Sequence, residues 1–76
     1  TGQRPKEAQS PIERLTDREF QVFQLIGQGF GSRQIADKLH VSVKTVEVHR
    51  ANIKQKLGLK TPTELIRAAV RWVEDP

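Results

Sequence analysis

Cysteine is absent from this 76-residue chain, as are methionine and tyrosine, and histidine occurs only at His40 and His49. Without thiols there is neither a disulfide framework nor a thiolate metal site. Two histidines fall short of a zinc-ligand set, so no metal and no cofactor are expected. No apolar run approaches the roughly 18 residues that a membrane span needs, and no signal-peptide core is present. The composition suits a reducing, cytoplasmic setting. A chain of this size buries only about 60% of the surface its unfolded form exposes. That is too little to enclose a deep catalytic pocket, and an enzyme is not expected. Methionine is missing even from position 1, and a piece of a longer protein is expected.

What the chain has is positive charge in one place. The net charge is +4 and the pI about 10.0. Between Ser32 and Lys60 lie seven cations (Arg33, Lys38, Lys44, Arg50, Lys54, Lys56 and Lys60) against two acids, Asp37 and Glu47, a surplus larger than that of the whole chain. Such clustering is the electrostatic footprint of a nucleic-acid face. A solvated helix surface produces the same clustering, and charge alone does not separate the two readings.

Residues 1–11 combine Gly2, Pro5 and Pro11 with polar side chains around a single apolar residue, Ala8. A flexible linker is expected there, followed by one domain over 12–76. The first helix, about 17–28, is announced by a capping box, Thr16 with Glu19, and by a hydrophobic staple of Leu15 and Phe20. Phe20, Val22, Phe23 and Ile26 mark its buried face, and Gly29 ends it. A second helix, about 33–39, takes Ser32 as its N-cap and buries Ile35, Ala36 and Leu39. Only His40 and Val41 separate it from a new cap at Ser42, after which a third helix runs over about 43–57 and stops at Gly58. Thr61, Pro62 and Glu64 open a fourth, about 62–74. The fold class is therefore all-α, a compact four-helix domain.

Two helices joined by so short a turn cross steeply, as in a helix-turn-helix. At 100° per residue, Val46, Ile53 and Leu57 of the third helix share one side. Lys44, Val48, Ala51 and Gln55 share the opposite side, with Glu47 and Asn52 at its border. The centre of that outer face is small or apolar, and Lys44, Thr45 and Lys54 surround it. A major groove admits such a helix because its leading side chains are slender; apolar groups there meet thymine methyls, and the flanking cations and hydroxyls hold phosphates.

The stretch Leu15 to Ile66 resembles the LuxR-type, or GerE-like, DNA-binding domain, in the branch found at the C-terminus of NarL/FixJ-type response regulators. The motifs that carry the likeness are L-T-x-R-E at the opening, I-A-x-x-L before the turn, S-x-K-T-V-x-x-H in the third helix and K-L-G after it. Each is weak alone, and their order and spacing make them specific. The resemblance implies that the third helix is the recognition helix. Lys44 and Thr45 then match positions at the phosphate backbone, and Glu47, Val48 and Ala51 match positions facing base edges. Ser32 and Arg33 match a phosphate-holding helix start. It further implies a two-fold symmetric duplex site, dimerisation through the fourth helix and an N-terminal receiver or sensor domain in the full-length chain. His40 departs from the pattern, standing in the turn where glycine is usual, and Gly27 and Gly31 stand where larger residues are usual, which would loosen the end of the first helix.

The candidate DNA-contacting set is Ser32, Arg33, Ser42, Lys44, Thr45, Glu47, Val48, Arg50, Ala51 and Lys54. Glu47 has two available partners, a cytosine amino group or Arg50 three residues on. Arg50 has its stem toward the core and its head free to reach a phosphate. Lys54, Lys56 and Lys60 all surround the C-terminal end of the third helix, where cations favour the dipole, and Lys54 is preferred over the other two as a phosphate contact. His49 is read as a structural histidine packed on the first or second helix. Leu65, Ile66, Ala69, Val70, Trp72 and Val73 spread over about 160° of the fourth helix, where packing on one side of a small core takes about 100°. The surplus points to a weak homodimer; a wide groove on the chain's own helices is the alternative. Two other readings stand beside the regulator: the promoter-binding region of a sigma factor, and a helical protein-interaction module that does not bind DNA.

Overall fold

The structure, a computed structural model, describes residues 11–75. The expected linker at 1–11 thus lies outside the described residues except for Pro11, which opens a 3₁₀ turn, Pro11–Arg14, rather than closing a linker. Four α-helices follow: α1 Asp17–Gly27, α2 Ser32–Leu39, α3 Val43–Leu57 and α4 Pro62–Glu74. No strand occurs among the described residues, and no helix among them is long and apolar enough to cross a membrane.

Local chemistry sets each helix start. Thr16 Oγ1 accepts from the Glu19 amide at 3.2 Å and Glu19 Oε1 accepts from the Thr16 amide at 3.0 Å, which completes the box read from sequence. Ser42 and Thr61 hydroxyls accept from the Thr45 and Glu64 amides, both at 3.1 Å. At α2 the expectation needs correction: the N-cap is Gly31, and Ser32 is already the first helical residue. Gln34, at the third helical position, marks that start: its Oε1 accepts from the Gly31 amide at 3.0 Å, the half of a capping box that needs no side chain at the N-cap.

The first three helices also end alike. Each closes on a residue of positive φ: Gly29 at 101°, His40 at 59° and Gly58 at 71°. The following amide then reaches back five residues, Phe30 to the Leu25 carbonyl at 3.1 Å, Val41 to Ala36 at 3.0 Å and Leu59 to Lys54 at 2.8 Å. Carbonyls that the last turn would leave unpaired are satisfied in this way, and the chain is turned sharply out of the helix.

α1 lies at the centre, packed most extensively on α4 and then on α3, while α2 packs chiefly on α3. Val22, Phe23 and Ile26 of α1 meet Ile35 and Ala36 of α2, Val46 and Ile53 of α3, and Leu65 and Ala69 of α4 in one core. Phe20, expected on the buried face, is half-buried and meets Trp72 edge to face, with ring centroids 6.0 Å apart. Gly27 reverses the expected loosening. A Cβ placed there would lie 2.3 Å from the Ala69 carbonyl oxygen and 2.6 Å from Val73 Cγ2, so the missing side chain is what lets α4 pack so close to α1.

Candidate nucleic-acid interface

The α2–α3 unit is joined by only His40, Val41 and Ser42. Val46 and Ile53 anchor α3 with no exposed surface, and that fixes which side turns outward. Lys44, Glu47, Val48, Ala51 and Gln55 are all exposed, and Val48, at 52%, is the most exposed large apolar side chain among the described residues. Among the described residues, none covers this slender strip.

The strip has polar and cationic edges. At its N-terminal end, Ser42 Oγ and Thr45 Oγ1 stand 3.0 Å apart and share one proton between them, while Ser42 also accepts from the Thr45 amide. Whichever hydroxyl donates, the other keeps its proton for an outside acceptor. Lys44 is exposed alongside. On the other edge, half-buried Arg50 and Lys54, one helical turn apart, line a groove with Glu47, Ala51, Pro62 and Leu65. Arg50 also borders a second groove with Phe30, Ser32 and Ile66. Arg33 is exposed beside the start of α2.

Three contacts were not visible in the sequence pattern. The Ser32 hydroxyl donates to Glu47 Oε2, tying the first residue of α2 to the outer face of α3. Neither of the two partners weighed for Glu47 from sequence makes that bond. Lys56 reaches Glu19 of α1 at 2.7 Å, which withdraws it from the cations available to an anionic ligand. Glu19 is only 4% exposed. Burial pushes its carboxyl up, but the Lys56 hydrogen bond, the Thr16 amide and the charges of Lys56 and His49 together hold it below its ordinary value of 4.5. His49 accordingly faces α1, with its Nδ1 buried and unpartnered among the described residues. Lys38 lies 4.5 Å from the centroid of the Phe30 ring, a cation–π contact that fixes the loop after α1.

On α4 the six candidate dimerisation residues divide into two stripes, each with i, i+4, i+7 spacing. Leu65 and Ala69 have no exposed surface, and Trp72 is half-buried against Phe20. Leu65 and Ala69 therefore belong to the chain's own core and leave the dimerisation set. Ile66 and Val73 are 44% and 38% exposed, and Val70 lies half-buried between them. This second stripe keeps apolar surface that own-chain packing does not cover, although Val73 also packs on α1 at Gly27.

Comparison with known proteins agrees with the geometry. Residues 13–69 match the family of bacterial regulatory proteins, luxR family. The chain is 45% identical over 71 residues to the oxygen regulatory protein NreC of Staphylococcus carnosus (strain TM300), covering 93% of this chain and 33% of that protein. It is 48% identical over 61 residues to the oxygen regulatory protein NreC of Staphylococcus aureus (strain JH9), covering 80% of this chain and 28% of the relative. The chain thus spans about a third of the length of these curated relatives, which are response regulators of the NarL type. A four-helix body with a short-turned α2–α3 pair, an open α3 face and a family match over three quarters of its length leave one assignment: the chain belongs to the luxR family of bacterial regulatory proteins, as its helix-turn-helix domain.

Proposed function

We propose that this chain binds double-stranded DNA sequence-specifically, as the output domain of a bacterial transcription regulator of the two-component type. The observation that carries this reading is the α3 face: Val48 and Ala51 bare and slender at its centre, with Lys44 beside them and Arg50 and Lys54 at the edge. α3 enters the major groove, where Val48 and Ala51 meet base edges and Glu47 accepts from a base amine. Lys44, Arg33, Arg50, Lys54 and one hydroxyl of the Ser42–Thr45 pair hold phosphates and set the register. The Ile66, Val70 and Val73 stripe of α4 joins two copies weakly over a two-fold symmetric site, with half-sites about one helical turn apart or a multiple of it. The shared family and the relatives' greater length support a receiver as the controlling N-terminal domain of the full-length protein.

The test is selection of bound duplexes from a random pool, followed by titrations across salt concentrations. A defined half-site is expected. Lys44→Ala weakens binding to every sequence and flattens the salt dependence by about one unit of slope. Val48→Glu instead abolishes discrimination at the bases it faces, at about 1–3 kcal/mol per lost contact. A Val48→Glu variant that retains wild-type sequence preference overturns the docking of α3.

A further inference from the structure

We propose that Ser32 is a positioning residue for base reading, holding the Glu47 carboxylate so that α3 reads a cytosine in the major groove. The proposal rests on the reading of α3 as the recognition helix and adds which base Glu47 reads and what aims it. Glu47 is exposed on the outer face of α3, next to Val48. A glutamate there is free to sweep through its rotamers, and a swinging acceptor discriminates poorly between bases. The Ser32 hydroxyl removes that freedom by donating to Oε2. Its own base is rigid: Gln34 fastens the Gly31 amide, Ile35 donates to the Gly31 carbonyl at 2.9 Å, and Ile35 and Ala36 are buried one turn on.

A carboxylate fixed in this way is an acceptor only, with lone pairs left over after one hydrogen bond. Guanine and thymine show it carbonyl or ring-nitrogen acceptors, and adenine sets an acceptor beside its amine. Cytosine alone offers its amine without a neighbouring acceptor. The same bond explains how an acid is tolerated on a face built for phosphates. Its charge is held by Ser32 at the start of α2, where helix amides favour it. Ser32 is accordingly bound to the protein's own carboxylate and is not a phosphate ligand.

Affinity is measured for the selected duplex and for single base-pair changes across one half-site, at several salt concentrations. The proteins are wild type, Ser32→Ala, Ser32→Thr, Glu47→Ala and the Ser32→Ala/Glu47→Ala double variant. Wild type should prefer cytosine over thymine at one position by about tenfold. Ser32→Ala should lower that preference to about twofold, with other positions and the salt slope unchanged. Ser32→Thr should restore it, and Ser32→Ala should have no further effect once Glu47 is alanine. The proposal is overturned by an intact cytosine preference in Ser32→Ala, by uniform weakening with a flatter salt slope, which marks a phosphate ligand, or by an undiminished Ser32→Ala effect without Glu47. A wild-type protein that selects no sequence sinks the underlying DNA-reading assignment as well. One that selects a site without cytosine at the Glu47 position sinks this proposal alone.

Discussion

Gly27 occupies the point of closest approach between α1 and α4, and two opposed effects meet there. Alanine would gain helix propensity, worth up to about 1 kcal/mol over glycine in a helix interior. Its methyl would also press on the Ala69 carbonyl oxygen, 2.3 Å from where a Cβ would stand, and that atom belongs to the backbone of another helix and has no rotamer to retreat into. Overpacking of this kind costs about 1–3 kcal/mol, so Gly27→Ala is expected to lower stability by about 1–2 kcal/mol in chemical denaturation. A variant as stable as wild type would mean that α4 is free to back away. The sequence alone shows a glycine near a helix end and suggests slack, because the constraint comes from residues some forty positions away. Ser32 and Glu47, fifteen apart, and Glu19 and Lys56, thirty-seven apart, are hidden for the same reason: each residue is legible, but its partner is fixed only by the packing of helices.

At the scale of the element, the sequence is most informative where the physics is local. Caps act within one turn, so Thr16 with Glu19, Ser42, and Thr61 with Pro62 and Glu64 all declare their helices, whereas Gly31 and Gln34 hide theirs because glycine presents no capping side chain. Periodicity carries the outer face of α3 correctly, since Val46 and Ile53 are strong enough to choose its buried side. It carries α4 only in part. Six apolar residues define a wide face, and the division into an inner Leu65–Ala69–Trp72 stripe and an outer Ile66–Val70–Val73 stripe depends on where α1 lies. His40, which ends α2 at φ 59°, is legible as an odd residue in a turn, and it tests the turn itself. Glycine adopts this conformation without strain, a β-branched residue hardly at all. His40→Gly should therefore raise thermal stability by up to about 1 kcal/mol, and His40→Val should lower it by more than about 1 kcal/mol. The opposite order in a thermal melt would show that the His40 side chain, rather than its backbone, secures the junction.

Across the whole molecule, one ion pair joins the first turn of α1 to the far end of α3, and it gives stability a pH dependence whose sign follows from the direction of the Glu19 shift. Glu19 is nearly buried in the first turn of α1, and Lys56 reaches it from the last turn of α3 at 2.7 Å. In the folded chain the carboxyl titrates below its ordinary value of 4.5, and unfolding returns it toward that value. The unfolded state therefore binds the proton more readily, and acid favours unfolding. The contribution of the pair is complete above the unfolded value and is lost as pH falls through the lower, folded one. Glu19→Gln separates the charge from the cap, because the amide oxygen still accepts from Thr16 while the attraction to Lys56 is gone. The variant should be less stable than wild type at neutral pH. The gap between them should narrow as pH is lowered from neutral to below the ordinary value of 4.5, as protonation removes the same charge from the wild type. Urea denaturation across that range measures the gap directly. A constant difference would show that the acid-sensitive group lies elsewhere and that α1 and α3 are held together by their apolar contacts alone.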